Sequence, residues 1–152
     1  GFFAFGIQNE SKGYEIRSAS DQYVFKSVLK QRDITYIKGN KGQGTTVNVF
    51  EGMLDFLSLL TLLNVPRLNG DTIIMHSTST YDRCKAFLEL GNFKMINTFL
   101  DNDPTGKKCT KKFEEDFHGK VASQSFQFKA FEDLNEVLKN GQKIQFQLLP
   151  NP

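Results

Sequence analysis

Two short segments hold the side chains best suited to chemistry, Phe50-Glu-Gly-Met-Leu-Asp55 and Leu100-Asp-Asn-Asp-Pro-Thr-Gly106. Each follows an apolar, β-prone run and leads into a helix-prone one. Gly52 is free to turn the chain after Glu51, and Pro104 suits a first helical turn. Side chains two apart on extended backbone point the same way, so Asp101 and Asp103 can face one cation. With Glu51 they make a hard-oxygen donor set of the kind that holds Mg²⁺ or Mn²⁺ beside waters and substrate phosphates. Without a cation three clustered acids repel, and one takes up a proton. Each acid alone has a plainer use, since Asp and Glu favour helix N-termini. The pair of motifs, each at an expected strand end, points to divalent-cation chemistry on phosphates.

The elements that must position these acids follow from the hydrophobic pattern. From residue 45 the spacing predicts strands at 46–50, 72–76, 95–100 and 121–126, alternating with helices at 53–63, 81–90, 104–117 and 131–139. Such alternation implies right-handed crossovers and an α/β fold whose mostly parallel sheet is flanked by helices. Ligands of open parallel sheets lie beyond the carboxyl ends of the strands, where Glu51, Asp101 and Asp103 would stand. Gly91 and Gly119 suit helix stops.

Residues 1–44 have a different character, with short β candidates at 2–7, 14–17, 24–25 and 34–37 and a glycine-rich stretch at 39–44. Residues 12–41 carry seven lysines and arginines against three acids, although the whole chain has a net charge of only +2. The expected division is therefore a small β-rich basic subdomain at 1–44, an α/β domain at 45–140, and a tail at 141–152. The alternating run 143–149 in that tail reads as an edge strand.

A chain of 152 residues, 39% hydrophobic and 24% charged, has ordinary globular composition and room for one sizeable core. Fifteen phenylalanines and no tryptophan supply aromatic volume that needs no polar partner. Cys84 and Cys109 stand far apart without histidines in ligand spacing, so they read as reduced thiols of a cytoplasmic protein rather than as a zinc module. The apolar opening lacks a basic flank and a cleavage site, and the run 53–63 is too short to span a bilayer. The chain begins without methionine and reads as a piece of a longer protein.

Phe50-Glu-Gly-Met-Leu-Asp55 and Leu100-Asp-Asn-Asp-Pro-Thr-Gly106 resemble, in order and separation, the two signatures of the Toprim domain. Bacterial primases, topoisomerases, overcoming-lysogenization-defect nucleases and RecR-type repair proteins share that domain. The resemblance runs from about residue 45 to 139 and implies a Toprim-like Rossmannoid core. Thr105 departs from the alanine often found before the glycine. Ala4-Phe-Gly-Ile-Gln-Asn9, Gly13-Tyr-Glu-Ile-Arg17, Phe25-Lys26 and Asp33-Ile-Thr35 resemble the segment preceding Toprim in primases, above all the primase-like proteins of mobile elements. Those proteins carry an upstream zinc-binding module.

By that resemblance Asp101 and Asp103 would ligate Mg²⁺ or Mn²⁺, and Glu51 would serve as a ligand or as general acid/base. Asp55 either completes the acid cluster or belongs to an exposed polar stripe with Ser58 and Thr61. Arg17 and Lys26 become candidate nucleic-acid or nucleotide contacts. The implied reaction is primer synthesis by nucleotidyl transfer on single-stranded DNA from NTPs, with a helicase as a candidate partner. A Toprim nuclease and a non-catalytic DNA-binding module are the rivals.

Lys107, Lys108, Lys111 and Lys112 stack in two rows four apart, suited either to phosphates or to a solvated helix face. His76 reads as a strand-end residue that either approaches substrate or, more plainly, packs; His118 reads as a helix-end residue, and Ser77, Thr78 and Ser79 as phosphate contacts or, more plainly, helix caps. Asp133-Leu-Asn135 resembles a short acidic motif late in primase-like relatives, and its plainer reading is structural.

Overall fold

The structure, a computed structural model, describes residues 3–18, 25–40, 44–142, 144 and 146. Three strands, β1 (Ala4–Gln8), β2 (Tyr14–Ser18) and β3 (Lys26–Leu29), form a small antiparallel sheet in chain order. The larger sheet has five strands: β4 (Thr35–Ile37), β5 (Thr46–Phe50), β6 (Asp71–Ile74), β7 (Met95–Phe99) and β8 (Val121–Ser123). Their order is β4-β6-β5-β7-β8, and only β4 runs antiparallel to its neighbour. Its helices are α1 (Met53–Leu63), α2 (Tyr81–Leu90), α3 (Pro104–Asp116) and α4 (Leu134–Lys139).

Both faces of the larger sheet are covered, so β5 is buried at all five positions, its polar Thr46 and Asn48 included. Val47, Val49 and Ile73 pack under Tyr81, Cys84 and Leu88 of α2 and Cys109 and Phe113 of α3. On the opposite face Phe50, Ile74 and Phe99 pack under Phe56 and Leu59 of α1 and Leu134 and Val137 of α4. Phenylalanine does much of the filling, with the Phe50 and Phe99 rings stacked at 4.7 Å across the β5–β7 pair.

Several expected boundaries move. β4, which lies within the basic amino-terminal stretch of the sequence, is an edge strand of the larger sheet, its Tyr36 placed opposite Ile73. The strand expected over 121–126 stops at Ser123, because Gln124 turns into a 3-10 segment, Ser125–Phe128, that buries Phe128 and exposes Phe126. α4 starts at Leu134 rather than at 131, because Asp133 caps it by accepting from the Glu136 N–H at 2.7 Å. α2 stops at Gly91, whose N–H bonds the last carbonyls. Val24 and most of the edge strand expected at 143–149 lie outside the described residues.

Candidate active site

Two parallel neighbours, β5 and β7, end level with each other, Phe50 opposite Phe99. The residues that follow therefore leave the same sheet edge side by side. The Glu51 N–H donates to the Phe99 carbonyl at 3.4 Å, and the Asp101 N–H donates to Glu51 Oε2 at 3.4 Å. Gly52 then caps α1 in extended conformation, and a side chain there would press on Asp55 Oδ2. Its absence lets the first turn of α1 fold Asp55 back toward Glu51.

Asp55 is 7% exposed, and its Oδ1 accepts from the Asn135 N–H at 3.4 Å. The exposed polar stripe is thus corrected: α4 packs over α1 and buries both Asp55 and Ser58, leaving Thr61 outside. Burial, then the Asp133 and Glu51 carboxylates, push the Asp55 carboxyl up to about 7.

Asp101 is the most electrostatically stressed of the group. Its Oδ1 is buried without a hydrogen-bond partner. Burial, followed by Asp55, Glu51, Asp133 and Asp103, raises its carboxyl to about 8. Burial also raises Glu51. Asp103 takes the helix-start role open to it, its Oδ1 accepting from the Gly106 N–H at 2.6 Å to cap α3, while Pro104 fills the first turn. Gly106 is needed because a Cβ there would collide with the Asp101 carbonyl.

The donor chemistry suits a hard divalent cation: all the acids offer carboxylate oxygens, one of them buried and partnerless, and the protonation of Asp55 and Asp101 is favoured by burial and by neighbouring carboxylates whose repulsion a cation would offset. As the side chains stand, no three acid, histidine or cysteine groups among the described residues converge to hold an ion.

The small sheet faces this cluster with positive charge. Arg17 and Lys26 lie directly opposite each other on β2 and β3, hence on one face. Lys26 Nζ donates to the His76 carbonyl at 2.8 Å, and its ammonium, lowered by burial, is in the field of Glu51. Arg17, likewise lowered by burial, is in the fields of Glu15 and Asp55. His76 is a packed strand-end residue, 1% exposed with a φ of 64°. Thr35 Oγ1 gives its one proton to the Gln8 carbonyl, so it accepts from His76 Nε2 at 2.8 Å and leaves Nδ1 unprotonated. Burial first, then Arg17, Lys26 and Arg32, hold that imidazole neutral, at about 3.

The sequence profile of a family described as Toprim-like matches residues 48–138, more than half of the chain. The chain belongs to the Toprim-like family. No curated protein matches its sequence. Among solved structures it is similar to the primase fragment of the bacteriophage T7 primase-helicase protein, with a TM-score of 0.66 at 19% identity over 92% of this chain. The chain spans 59% of that fragment. It is also similar to a chain in the structure of bacteriophage T7 lagging-strand DNA polymerase interacting with primase domains of two gp4 subunits bound to an RNA/DNA hybrid and dTTP. There the TM-score is 0.63 at 20% identity, covering 92% of this chain and 71% of the other.

Within this Toprim-like fold, Glu51, Asp55, Asp101 and Asp103 share one sheet edge, and Arg17 and Lys26 reach it from the second sheet. Lys107 and Lys108 stay exposed on α3, further along the helix than Asp103. Asp133, whose plainer reading was structural, both caps α4 and joins the acid field of Asp101, Asp55 and Glu51. Its signal in the sequence was the Asp133-Leu-Asn135 motif. Distance along the chain hid its place, which depends on α4 folding back over α1.

Proposed function

We propose that this Toprim-like domain is the catalytic part of a DNA primase-like protein, joining nucleotides into primers on a single-stranded DNA template. The observation that carries the reading is the face-to-face arrangement of Glu51 and Asp101, side by side at the β5–β7 edge, with Arg17 and Lys26 of the small sheet. Acids alone would suit any cation site, and bases alone any phosphate. Both, brought to one sheet edge, suit a reaction on a phosphate bearing several negative charges. The fold shared with the T7 primase fragment, and the presence of primase domains beside a polymerase, an RNA/DNA hybrid and dTTP in the second structure, support the same reading.

Asp101, Asp103 and Glu51, with Asp55 behind them, would hold Mg²⁺ or Mn²⁺. When bound, the cation supplies Lewis-acid polarisation of the α-phosphate and stabilises the leaving pyrophosphate. Glu51, half-buried and with its carboxyl raised, takes the proton of the attacking primer 3′-hydroxyl as the new phosphodiester bond forms. Lys26 and Arg17 bind the triphosphate oxygens, and the His76 carbonyl orients the Lys26 ammonium for it. An upstream zinc-binding module would select the template, and a helicase would deliver it. Among the described residues no helix is long and apolar enough to cross a membrane.

The deciding assay incubates the full-length protein with Mn²⁺ and labelled single-stranded DNA, with and without nucleotides. Nucleotide-dependent extension products are expected. Nucleotide-independent shortening of the DNA would instead identify a nuclease, and no change in either arm a binding module.

A further inference from the structure

The four lysines of α3 form two rows, and the structure treats the rows differently. Lys107 and Lys111 are exposed, and Lys111 sits 3.9 Å from Glu115 on the same helix. Lys108 and Lys112, exposed as well, line a groove of about 210 Å³ between α3 and the start of α2, with Thr105, Cys109, Thr78 and Tyr81 as the other walls. No carboxylate lines this groove. Among the described residues no acid forms an ion pair with Lys108.

The groove is built rather than merely charged. The Tyr81 hydroxyl donates to Asp116 Oδ2 at 2.6 Å, which fixes the ring, and Lys112 Nζ lies 5.2 Å from the ring centroid. Lys85, 3.0 Å from the same Asp116 oxygen, engages its charge as well. Lys108 and Lys112 are one helical turn apart, about 6 Å along the axis, on one side of α3. Thr78, just before α2, and Thr105, in the first turn of α3, line the groove from its two sides. Two ammonium groups one turn apart with hydroxyl donors around them match successive phosphate groups better than a lone anion.

The groove also adjoins the acids. Thr105 in its wall is two residues beyond Asp103, in the first turn of the helix that Asp103 caps. It lies on the face of the sheet covered by α2 and α3, whereas Asp55 and Asp133 lie toward the α1 and α4 face.

We propose that the groove between α3 and the start of α2 is a phosphate-binding track leading to the acid cluster, gripping successive phosphates through Lys108, Lys112, Thr78 and Thr105. The inference rests on the primase-like reading and adds a second anionic path, separate from Arg17 and Lys26. Two ligands carry that chemistry: the backbone of a nucleic-acid strand and the triphosphate of a nucleotide.

The test compares two double variants of equal charge in the full-length protein, Lys108→Ala with Lys112→Ala, and Lys107→Ala with Lys111→Ala. One arm measures fluorescence anisotropy of a labelled single-stranded oligonucleotide over a salt series. The other measures binding of a nucleoside triphosphate with Mn²⁺ and no oligonucleotide. The groove pair is expected to lose about tenfold in affinity in one arm, and that arm names the ligand. If it is the strand, the slope of log affinity against log salt falls by about 1.4, two contacts at ~0.7 each. Lys108→Ala alone, which leaves the Lys112–Tyr81 contact intact, gives about half the effect and guards against misfolding of the double variant. Equal losses in the two pairs would reduce the effect to net charge and overturn the groove, as would wild-type affinity of the groove pair in both arms. Failure of the wild-type protein to bind either ligand would instead overturn the primase-like reading itself.

Discussion

The Asp101 N–H points at Glu51 Oε2 across 3.4 Å, joining two acids fifty positions apart in the chain. The contact ties the acidic edge to the backbone at the end of β7, so a change at either position is felt at the other. It also sets two carboxylates side by side in a partly buried edge, where both resist ionisation.

The pH dependence of the metal-free protein follows from that resistance. The carboxyls of Asp55 and Asp101 are raised to about 7 and about 8 in the folded chain, against an ordinary aspartate near 3.8. The folded state therefore binds protons that the unfolded chain releases. This contribution to stability is complete below about pH 4 and is lost as pH rises through about 7 and about 8. Melting temperature without divalent cations should fall by several degrees between pH 5 and 8.5. Mn²⁺ should restore it at the upper end. A flat profile would mean that the acids are solvated.

Asp101→Asn should abolish Mn²⁺ binding measured by calorimetry while leaving the metal-free melting temperature at pH 8 unchanged or higher, because it removes a repelled charge. Marked destabilisation without metal would show that Asp101 supports the fold instead.

Glu51→Gln keeps the size of the side chain and the acceptor for the Asp101 N–H. Primer synthesis by the full-length protein should fall by about 10²- to 10⁴-fold, as expected when a general base is lost. Circular dichroism and melting should be as in wild type. Unaltered synthesis would place catalysis elsewhere.

Gly106→Ala should cost about 3 kcal/mol or more, measured by denaturant unfolding, because its Cβ would overlap the Asp101 carbonyl backbone and something must shift. Mn²⁺ affinity should fall with it, since the displaced group is Asp101 itself.

His76→Ala should destabilise by about 1–2 kcal/mol, losing a buried hydrogen bond to Thr35 at a positive-φ position. His76→Asn should be milder, because asparagine tolerates the left-handed region better than other non-glycine residues. Equal melting temperatures for the two variants would count against a strained backbone at this residue.

Much of this architecture was legible in the sequence because it is local. The strand at Thr46–Phe50, the start of α3 at Pro104 and the stop of α2 at Gly91 depend on residues within a few positions of each other. The end of β8 was less legible, since whether 124–126 continues the strand depends on Phe128 finding room in the core. Asp55 shows the same limit. Its helical stripe was plain, but whether the stripe met water or α4 is decided by a residue eighty positions away, Asn135.

The order and kind of elements, the two acid motifs and the basic amino-terminal stretch were determined by the sequence alone, through periodicity and short-range backbone preferences. Tertiary structure alone decided that Asp133 joins the acids, that β4 belongs to the larger sheet, and that Lys26 reaches across to the His76 carbonyl. Each of these rests on a contact between segments far apart in the chain. Chain pattern says which face of a segment is apolar, and only packing selects what that face meets.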